Sequence, residues 1–140
     1  MKNFIKIMCA CALFLGAVSC GNKNVQLTDG EWRLESMHAQ DETFVRMDKN
    51  PSIIFSDTSN MVYGYGGCNR YFGTYQKHSG NKISISTLGS TLAMCADIDT
   101  EDMFLHILSN AASYKIKGDE LVLYDTVDKK IANFTLIKNQ

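Results

Sequence analysis

The sequence is poor in several features that define large protein classes. It has one proline, Pro51, and its 14 basic side chains do not outnumber its 15 acidic ones. Without a basic surplus, the chain has no electrostatic footprint for nucleic acid. Its most apolar run, residues 7–17, is far shorter than the ~20 residues that cross a bilayer as a helix. These shortages argue against a nucleic-acid-binding protein and against a helical membrane span.

The N-terminus has the organisation of a bacterial lipoprotein signal. Lys2 and Lys6 form a basic region, residues 7–17 form an apolar region, and residues 17–20 resemble a lipobox. We expect residues 1–19 to be removed, Cys20 to be lipidated, and residues 20–27 to be the lipidated cysteine and its tether. The alternative is ordinary cleavage after Ser19, which leaves Cys20 as a free thiol. The expected location is the cell envelope of a Gram-negative bacterium, as an outer-membrane lipoprotein facing the periplasm.

Two cysteines remain beyond the expected anchor. Cys68 and Cys95 form one candidate disulfide in an oxidising compartment, and their closed loop of about 28 residues would contribute about 3 kcal/mol in the chain-entropy model. The alternative is two buried thiols packed as small apolar side chains. Loss of Lys2 and Lys6 leaves 12 basic against 15 acidic side chains, a net charge of −3. The remaining length suits one domain, which we place at residues 28–138.

Alternation of apolar and polar residues predicts a chain made mostly of short strands. In residues 31–38 it places Trp32 and Leu34 on one face, so the single tryptophan is expected in the core. One helix is predicted at about residues 100–112, where apolar residues form one stripe. The predicted fold class is therefore mainly β (α+β), in a single domain. Further strands are predicted at residues 44–45, 53–55, 61–65, 71–76, 82–86, 114–117, 121–124 and 131–137, with a hairpin over residues 52–65.

The most unusual stretch is residues 64–73, where four glycines interrupt a strand-like run. The backbone there must bend, adopt positive φ or lie close to another backbone. The stretch lacks the third glycine of a dinucleotide fingerprint, and the chain has no Walker lysine, so phosphate binding is not predicted.

The pattern of residues offers little support for a metal-binding site or a catalytic site. The three histidines have no ligand spacing, and the acidic residues between 97 and 102 lack the glycine and closing glutamate of a calcium loop. We interpret Glu101 and Asp102 as first-turn residues whose charge suits the helix dipole. Cys68 has no evident base and no Cys-x-x-Cys motif beside it, so a structural role is favoured. The predicted metal, cofactor and catalytic sets are therefore empty.

Side chains that follow the glycine-rich turn are candidates for contact with a partner. Asn69, Arg70 and Tyr71 occupy this position, and arginine and tyrosine are the residue types that anchor interfaces. We therefore predict an interaction surface at these three residues. The alternative for any tyrosine here is packing on a curved sheet with its hydroxyl at the rim.

Several short motifs follow one another along the chain: Trp32-x-Leu34, Ile53-x-Phe55, Gly64-x-Gly66-Gly67-Cys68-Asn69-Arg70-x-x-Gly73-x-Tyr75, Thr91-x-x-Met94-Cys95, Glu101-x-x-Phe104, Leu121-x-Leu123 and Phe134. In these motifs the chain resembles the META/HslJ family of bacterial envelope proteins, and the resemblance covers nearly all of residues 28–137. It implies a small antiparallel β domain, curved like part of a barrel, with one packed helix, in secreted or lipid-anchored proteins. The family is linked with envelope stress and with altered sensitivity to a hydrophobic antibiotic, and it implies no catalytic residues.

Two functions follow as hypotheses. The first is a non-enzymatic, lipid-anchored envelope protein that acts as a protein-interaction or envelope-stress module. Its expected partners are the membrane, through the N-terminal lipid, and an envelope protein, with no nucleic acid. The alternative is a carrier that holds a small apolar ligand on the concave face of the sheet.

Overall fold

The computed structural model describes residues 24–39, 42–45 and 50–138. Within these ranges the chain forms ten strands and one α-helix. The expected signal peptide and Cys20 lie outside the described residues. The strands are β1 (Glu31–Ala39), β2 (Glu42–Val45), β3 (Ser52–Phe55), β4 (Met61–Tyr65), β5 (Arg70–His78), β6 (Lys82–Ile85), β7 (Gly89–Ser90), β8 (Ser113–Lys117), β9 (Glu120–Tyr124) and β10 (Lys130–Ile137); the helix is α1 (Ile98–Ser109), and a short 3₁₀ turn covers Ser79–Asn81.

Eight of the strands form a closed, barrel-like antiparallel sheet. They follow the order β10-β9-β8-β6-β5-β4-β3-β1, and β1 pairs again with β10. The two other strands are additions, since β2 pairs with β1 and β7 pairs with β5. The mainly β, single-domain prediction is confirmed, and the expected partial barrel is in fact a closed sheet.

Strand alternation is confirmed where it is easiest to read. In β5 the side chains of Tyr71 and Tyr75 are buried, while Phe72 between them is exposed. The predicted hairpin over residues 52–65 is formed by β3 and β4, in register from Ser52 opposite Tyr65 to Phe55 opposite Val62. Apolar residues at every second position therefore face the barrel interior.

Closure depends on β1 and β10, which lie at opposite ends of the chain. Trp32 pairs with Leu136 and Leu34 with Phe134, and a register shift follows between Leu34 and Ser36. Such a bulge strengthens local twist, which helps a sheet to curve into a barrel. Trp32 is fully buried, as predicted, and its indole Nε1 donates to the carbonyl of Leu27 at 2.8 Å.

That hydrogen bond shows where packed structure begins. Leu27 is itself buried, with 1% of its surface exposed. The expected tether at residues 20–27 therefore ends before Leu27, which belongs to the core.

Helix α1 packs its apolar face into the barrel. It begins at Ile98 and ends at Ser109, slightly earlier at both ends than predicted. Phe104 is fully buried, and its ring centroid lies 5.8 Å from that of Tyr71 and 6.3 Å from that of Phe134. The helix thus joins β5 and β10 through one aromatic contact cluster.

Candidate functional site

The glycine-rich turn is built around a buried carboxylate. Residues 66–69 connect β4 to β5, and the turn is closed by a hydrogen bond of 2.8 Å from Gly66 N to the carbonyl of Asn69. Glu101, 1% exposed, points from the first turns of α1 into this loop. Its Oε2 accepts from the backbone N–H of Cys68 at 2.9 Å and from that of Asn69. The turn thus forms a small N–H concavity that holds an internal anion.

Gly66 is required by that contact. A Cβ at this position would lie 2.6 Å from Glu101 Oε2, closer than real Cβ atoms approach. Any larger residue would have to push the carboxylate out of the turn. The glycine at this position therefore marks a close approach between the loop and α1.

Asn69 ties this turn to a second segment. Its Nδ2 donates to Glu101 Oε1 at 2.7 Å and to the carbonyl of Ala93 at 3.0 Å. Its Oδ1 accepts from Ala93 N at 2.7 Å and from Thr91 Oγ1 at 2.8 Å. All four hydrogen-bonding positions of the side-chain amide are used. Asn69 therefore acts as a structural clip.

The disulfide between Cys68 and Cys95 is the second tie on the same segment. We call residues 91–97 the clipped segment, because Asn69 and Cys68 both hold it. Its residues are exposed, and the apolar side chains Leu92 and Met94 are 91% and 85% exposed. The segment is thus held by hydrogen bonds and one covalent bond, with little apolar burial.

Gly64 makes room for Tyr71 on the neighbouring strand. The two residues pair across β4 and β5, and a Cβ on Gly64 would lie 2.1 Å from the carbonyl oxygen of Ser52. The Tyr71 hydroxyl instead reaches past the glycine and donates to that carbonyl at 2.8 Å. Burial, with a smaller effect from the Glu31 carboxylate, raises the pKa of Tyr71 well above its ordinary value. Tyr71 therefore remains a neutral donor.

The three residues of the predicted interaction surface have different environments. Asn69 and Tyr71 are 3% and 2% exposed and serve the interior contacts described above. Arg70 lies between them with its side chain exposed. Alternation along β5 turns Tyr71 inward beside the outward Arg70. Asn69, in the turn before β5, is held inward by its bonds to Glu101 and Ala93. Only Arg70 of the three can contribute to a surface.

Arg70 belongs to a partly apolar sheet face. Tyr63 pairs with Phe72, and Met61 and Arg70 flank that pair on β4 and β5. We call these four residues the β4–β5 outer face. Phe72 is 57% exposed, Tyr63 41% and Met61 40%. The face presents two aromatic rings, one thioether and one guanidinium to solvent.

Glu101 lies in the first turn of α1, as predicted, but its burial was not predicted. A negative charge is favourable in the first turn of a helix, and this accounts for Glu101 without any burial of its side chain. Its spacing held the signal: Glu101 lies three and seven residues before the buried Phe104 and Leu108, which places it on the apolar stripe. An acidic residue on that stripe must find internal donors, and the glycine-rich turn supplies them.

This arrangement offers little for catalysis. Cys68 is oxidised, and both oxygens of Glu101 already accept hydrogen bonds. Among the described residues, no three His, Cys, Asp or Glu side chains are grouped closely enough to hold a metal ion. No helix formed by the described residues has the length and apolar character needed to cross a membrane.

The order of the strands, the glycine-rich turn and its clip can now be compared with known proteins. The META domain family model matches residues 25–137. The chain belongs to the META domain family. This is not a known enzyme family, and a search of curated proteins finds no match.

Two solved structures show the same fold as this META domain. One is an NMR structure of a protein from Burkholderia xenovorans, with 22% identity and a TM-score of 0.65, covering 81% of this chain and 85% of that one. The other is the crystal structure of a DUF4847 family protein from Bacteroides vulgatus, with 16% identity and a TM-score of 0.61, covering 81% and 96%. At these identities the likeness concerns the fold alone.

Proposed function

We propose that this META domain is a non-enzymatic, lipid-anchored module of the cell envelope that binds a protein partner through its β4–β5 outer face. The observation that carries the proposal is the exposed cluster of Tyr63, Phe72 and Met61 beside Arg70. Exposed apolar clusters with a polar rim are typical of interaction sites. Aromatic and arginine side chains also supply most of the binding energy in protein interfaces.

Interior and neighbouring contacts support this face, which favours recognition. Behind it, Tyr71 is fixed by its bond to Ser52 and its contact with Phe104. Beside it, the ring of Phe72 packs over Gly89. A Cβ added to Gly89 would lie 3.2 Å from that ring. A surface held this firmly loses little conformational entropy when a partner binds.

The anchor and the location complete the proposal. Cys20 follows a signal-like N-terminus, and the lipid would hold the domain at the membrane while the polar residues before Leu27 allow it some reach. We place the protein at the outer membrane of a Gram-negative bacterium, facing the periplasm, where the Cys68–Cys95 disulfide suits the redox conditions.

The carrier alternative gains no specific support from the described residues. Core side chains and the apolar face of α1 pack into the barrel, where Trp32, Ile53 and Phe104 are fully buried. Two clefts lined by described residues lie elsewhere, near the junction of β6 and β8, and polar residues such as Asn81 take part in both. The interaction module is therefore the function we put to the test.

The test is crosslinking in living cells of the tagged full chain, followed by mass spectrometry. An Arg70→Ala, Phe72→Ser variant removes the cation and the largest exposed ring of the β4–β5 outer face. A Lys130→Ala, Val127→Ser variant removes the cation at the first position of β10 and one exposed apolar side chain from the turn before it, and serves as the matched control. We expect a partner captured by the parent and the control to be lost from the first variant, with unchanged thermal unfolding. Equal capture by all three proteins would contradict the proposed surface.

A further inference from the structure

Strand β8 has an edge that the closed sheet leaves almost unpaired. It pairs with β9 along all of its residues, from Ser113 opposite Tyr124 to Lys117 opposite Glu120. On its other side it pairs with β6 only through Ser113 and Lys82. The short 3₁₀ turn at Ser79–Asn81 precedes β6, and no strand among the described residues pairs with this side of residues 115–117.

The backbone along this edge is directed outward. The two-residue turn between β8 and β9 has Gly118 at φ 58°, and Lys117 and Glu120 are the residues that flank it. In an antiparallel ladder, hydrogen-bonded pairs alternate with pairs that direct their N–H and C=O groups the other way. Lys117 and Glu120, which flank the turn, form a hydrogen-bonded pair. The N–H and C=O of Ile116, one residue earlier, therefore point away from β9. They are available to another strand.

A groove follows the same edge. A cleft of about 440 Å³ is lined by residues 24–27 on one wall and by Tyr114, Ile116 and Gly118 on the other. A second cleft of about 300 Å³ adjoins it at Asn81 and Tyr114 and includes Ser113 and Lys115. Together their linings include residues 113–116 of β8. Their volumes fall in or near the range of small binding sites.

The two faces of β8 differ in chemistry. Tyr114 and Ile116 pack partly against the core, while Lys115 and Lys117 are exposed on the outer face. No carboxylate among the described residues forms an ion pair with either lysine. A strand added here would place alternate side chains beside two exposed cations, of which Lys117 already lies opposite Glu120 on β9. The other side chains of the added strand would lie beside an aromatic and an aliphatic side chain.

The same lysines disfavour one obvious occupant. If two copies of the chain paired through β8 around Ile116, Lys115 of each copy would face Lys117 of the other. Like charges directly opposite each other destabilise a strand pair. The charge pattern instead favours a segment whose outward side chains are acidic.

We propose that the β8 edge is a strand-addition site for an extended peptide with alternating apolar and acidic side chains. The peptide backbone pairs with Ile116, its apolar side chains pack beside Tyr114 and Ile116, and its carboxylates lie beside Lys115 and Lys117. Backbone pairing supplies affinity and the alternating side chains supply selectivity. This site is separate from the β4–β5 outer face and does not depend on it.

The test measures fluorescence anisotropy of a labelled eight-residue peptide of alternating glutamate and valine, titrated with the full chain in detergent. We expect saturable binding that weakens at least tenfold for a Lys115→Glu, Lys117→Glu variant. An Arg33→Glu, Lys77→Glu variant makes the same change in net charge on β1 and β5, where both side chains are exposed, and we expect it to bind as the parent does.

A second arm tests backbone pairing without changing the protein. A peptide of the same sequence with alternate backbone nitrogens methylated on its pairing edge keeps its charge but cannot form the ladder, so we expect at least tenfold weaker binding. Absence of binding by the unmodified peptide would overturn the proposal. So would equal binding of the methylated peptide, or equal weakening by the two charge variants.

Discussion

Asn69, Glu101 and Tyr71 show how single polar side chains hold this fold together. Each is buried, and each forms at least one hydrogen bond with the backbone of another segment. Buried polar groups cost little when they are fully satisfied and a great deal when one partner is removed. At this scale we expect substitutions of these residues to affect stability and to leave the exposed surfaces in place.

Tyr71 gives a prediction about pH. Its pKa is raised in the folded protein by burial, while in the unfolded chain it ionises near pH 10. The stability it contributes is therefore fully present below about pH 10 and is lost as pH rises towards the folded pKa, because the unfolded chain releases the proton first. Tyr71→Phe should lower stability by about 1–2 kcal/mol at pH 7, through loss of the bond to Ser52.

Chemical denaturation at several pH values between 7 and 11.5 checks this. The parent should lose stability above pH 10 more steeply than Tyr71→Phe, so that the gap between the two proteins narrows. Tyr63→Phe, at an exposed position of β4, is the control and should follow the parent. Parallel curves for the parent and Tyr71→Phe would contradict the argument.

The sequence revealed that residues 64–73 are constrained, but not what constrains them. Close backbone approach was predicted, and Gly64 and Gly66 both show it. The partner residue, Glu101, is far along the chain, and its charge had a sufficient local explanation at the start of α1. Asn69 and Tyr71 were expected at a surface, because whether a residue beside a turn faces inward depends on the strand register, which a single sequence leaves open.

At the scale of elements, local patterns predicted well and long-range pairing did not. The strands and α1 could be placed because alternation and the helical stripe are visible within a few residues. Closure through β1 and β10 joins residues about a hundred positions apart, as in the pair of Trp32 and Leu136, and no local pattern encodes that register. The short pairing of β6 with β8 likewise joins distant residues, so no local pattern predicts it.

The clipped segment gives an element-scale prediction, because two independent ties hold it. Removing the disulfide by Cys68→Ala, Cys95→Ala should cost about 2–4 kcal/mol, mostly by freeing the unfolded chain. Asn69→Ala should cost about 2–3 kcal/mol, since Glu101 Oε1 and the backbone N–H and carbonyl of Ala93 each lose the hydrogen bond that the amide makes. With both ties removed, residues 91–97 have little apolar burial to keep them in place.

Limited proteolysis at Leu92 and Met94, followed by mass spectrometry, measures release of the segment separately from denaturation. We expect slow cleavage when either tie remains and fast cleavage when both are absent. An Asn110→Ala variant, which alters an exposed asparagine after α1, controls for the loss of an amide side chain. If cleavage of the doubly altered protein equals that of the single variants, the segment is held by something else.

At the scale of the whole molecule, the two candidate surfaces lie on different strands of one closed sheet. The β4–β5 outer face offers side chains to a partner, whereas the β8 edge offers backbone groups and two lysines. A domain tethered by its N-terminus can turn either surface towards a partner, provided that the tether holds it at the membrane. The proposed anchor therefore sets the conditions under which both surfaces act.

The anchor gives the last prediction. Each buried acyl methylene contributes about 0.8 kcal/mol, so one acyl chain binds marginally and the several chains of a bacterial lipoprotein bind durably. In a Gram-negative host, the full chain should therefore sediment with membranes and carry the added mass of lipid at Cys20. Cys20→Ser should remove that mass and move most of the protein out of the membrane fraction. A Cys9→Ser, Cys11→Ser variant changes two cysteines that lie within the expected signal, so it should behave as the parent does. Membrane association that survives Cys20→Ser without a lipid adduct would show that another part of the chain holds the protein there, and the lipid would then have to be abandoned as the anchor.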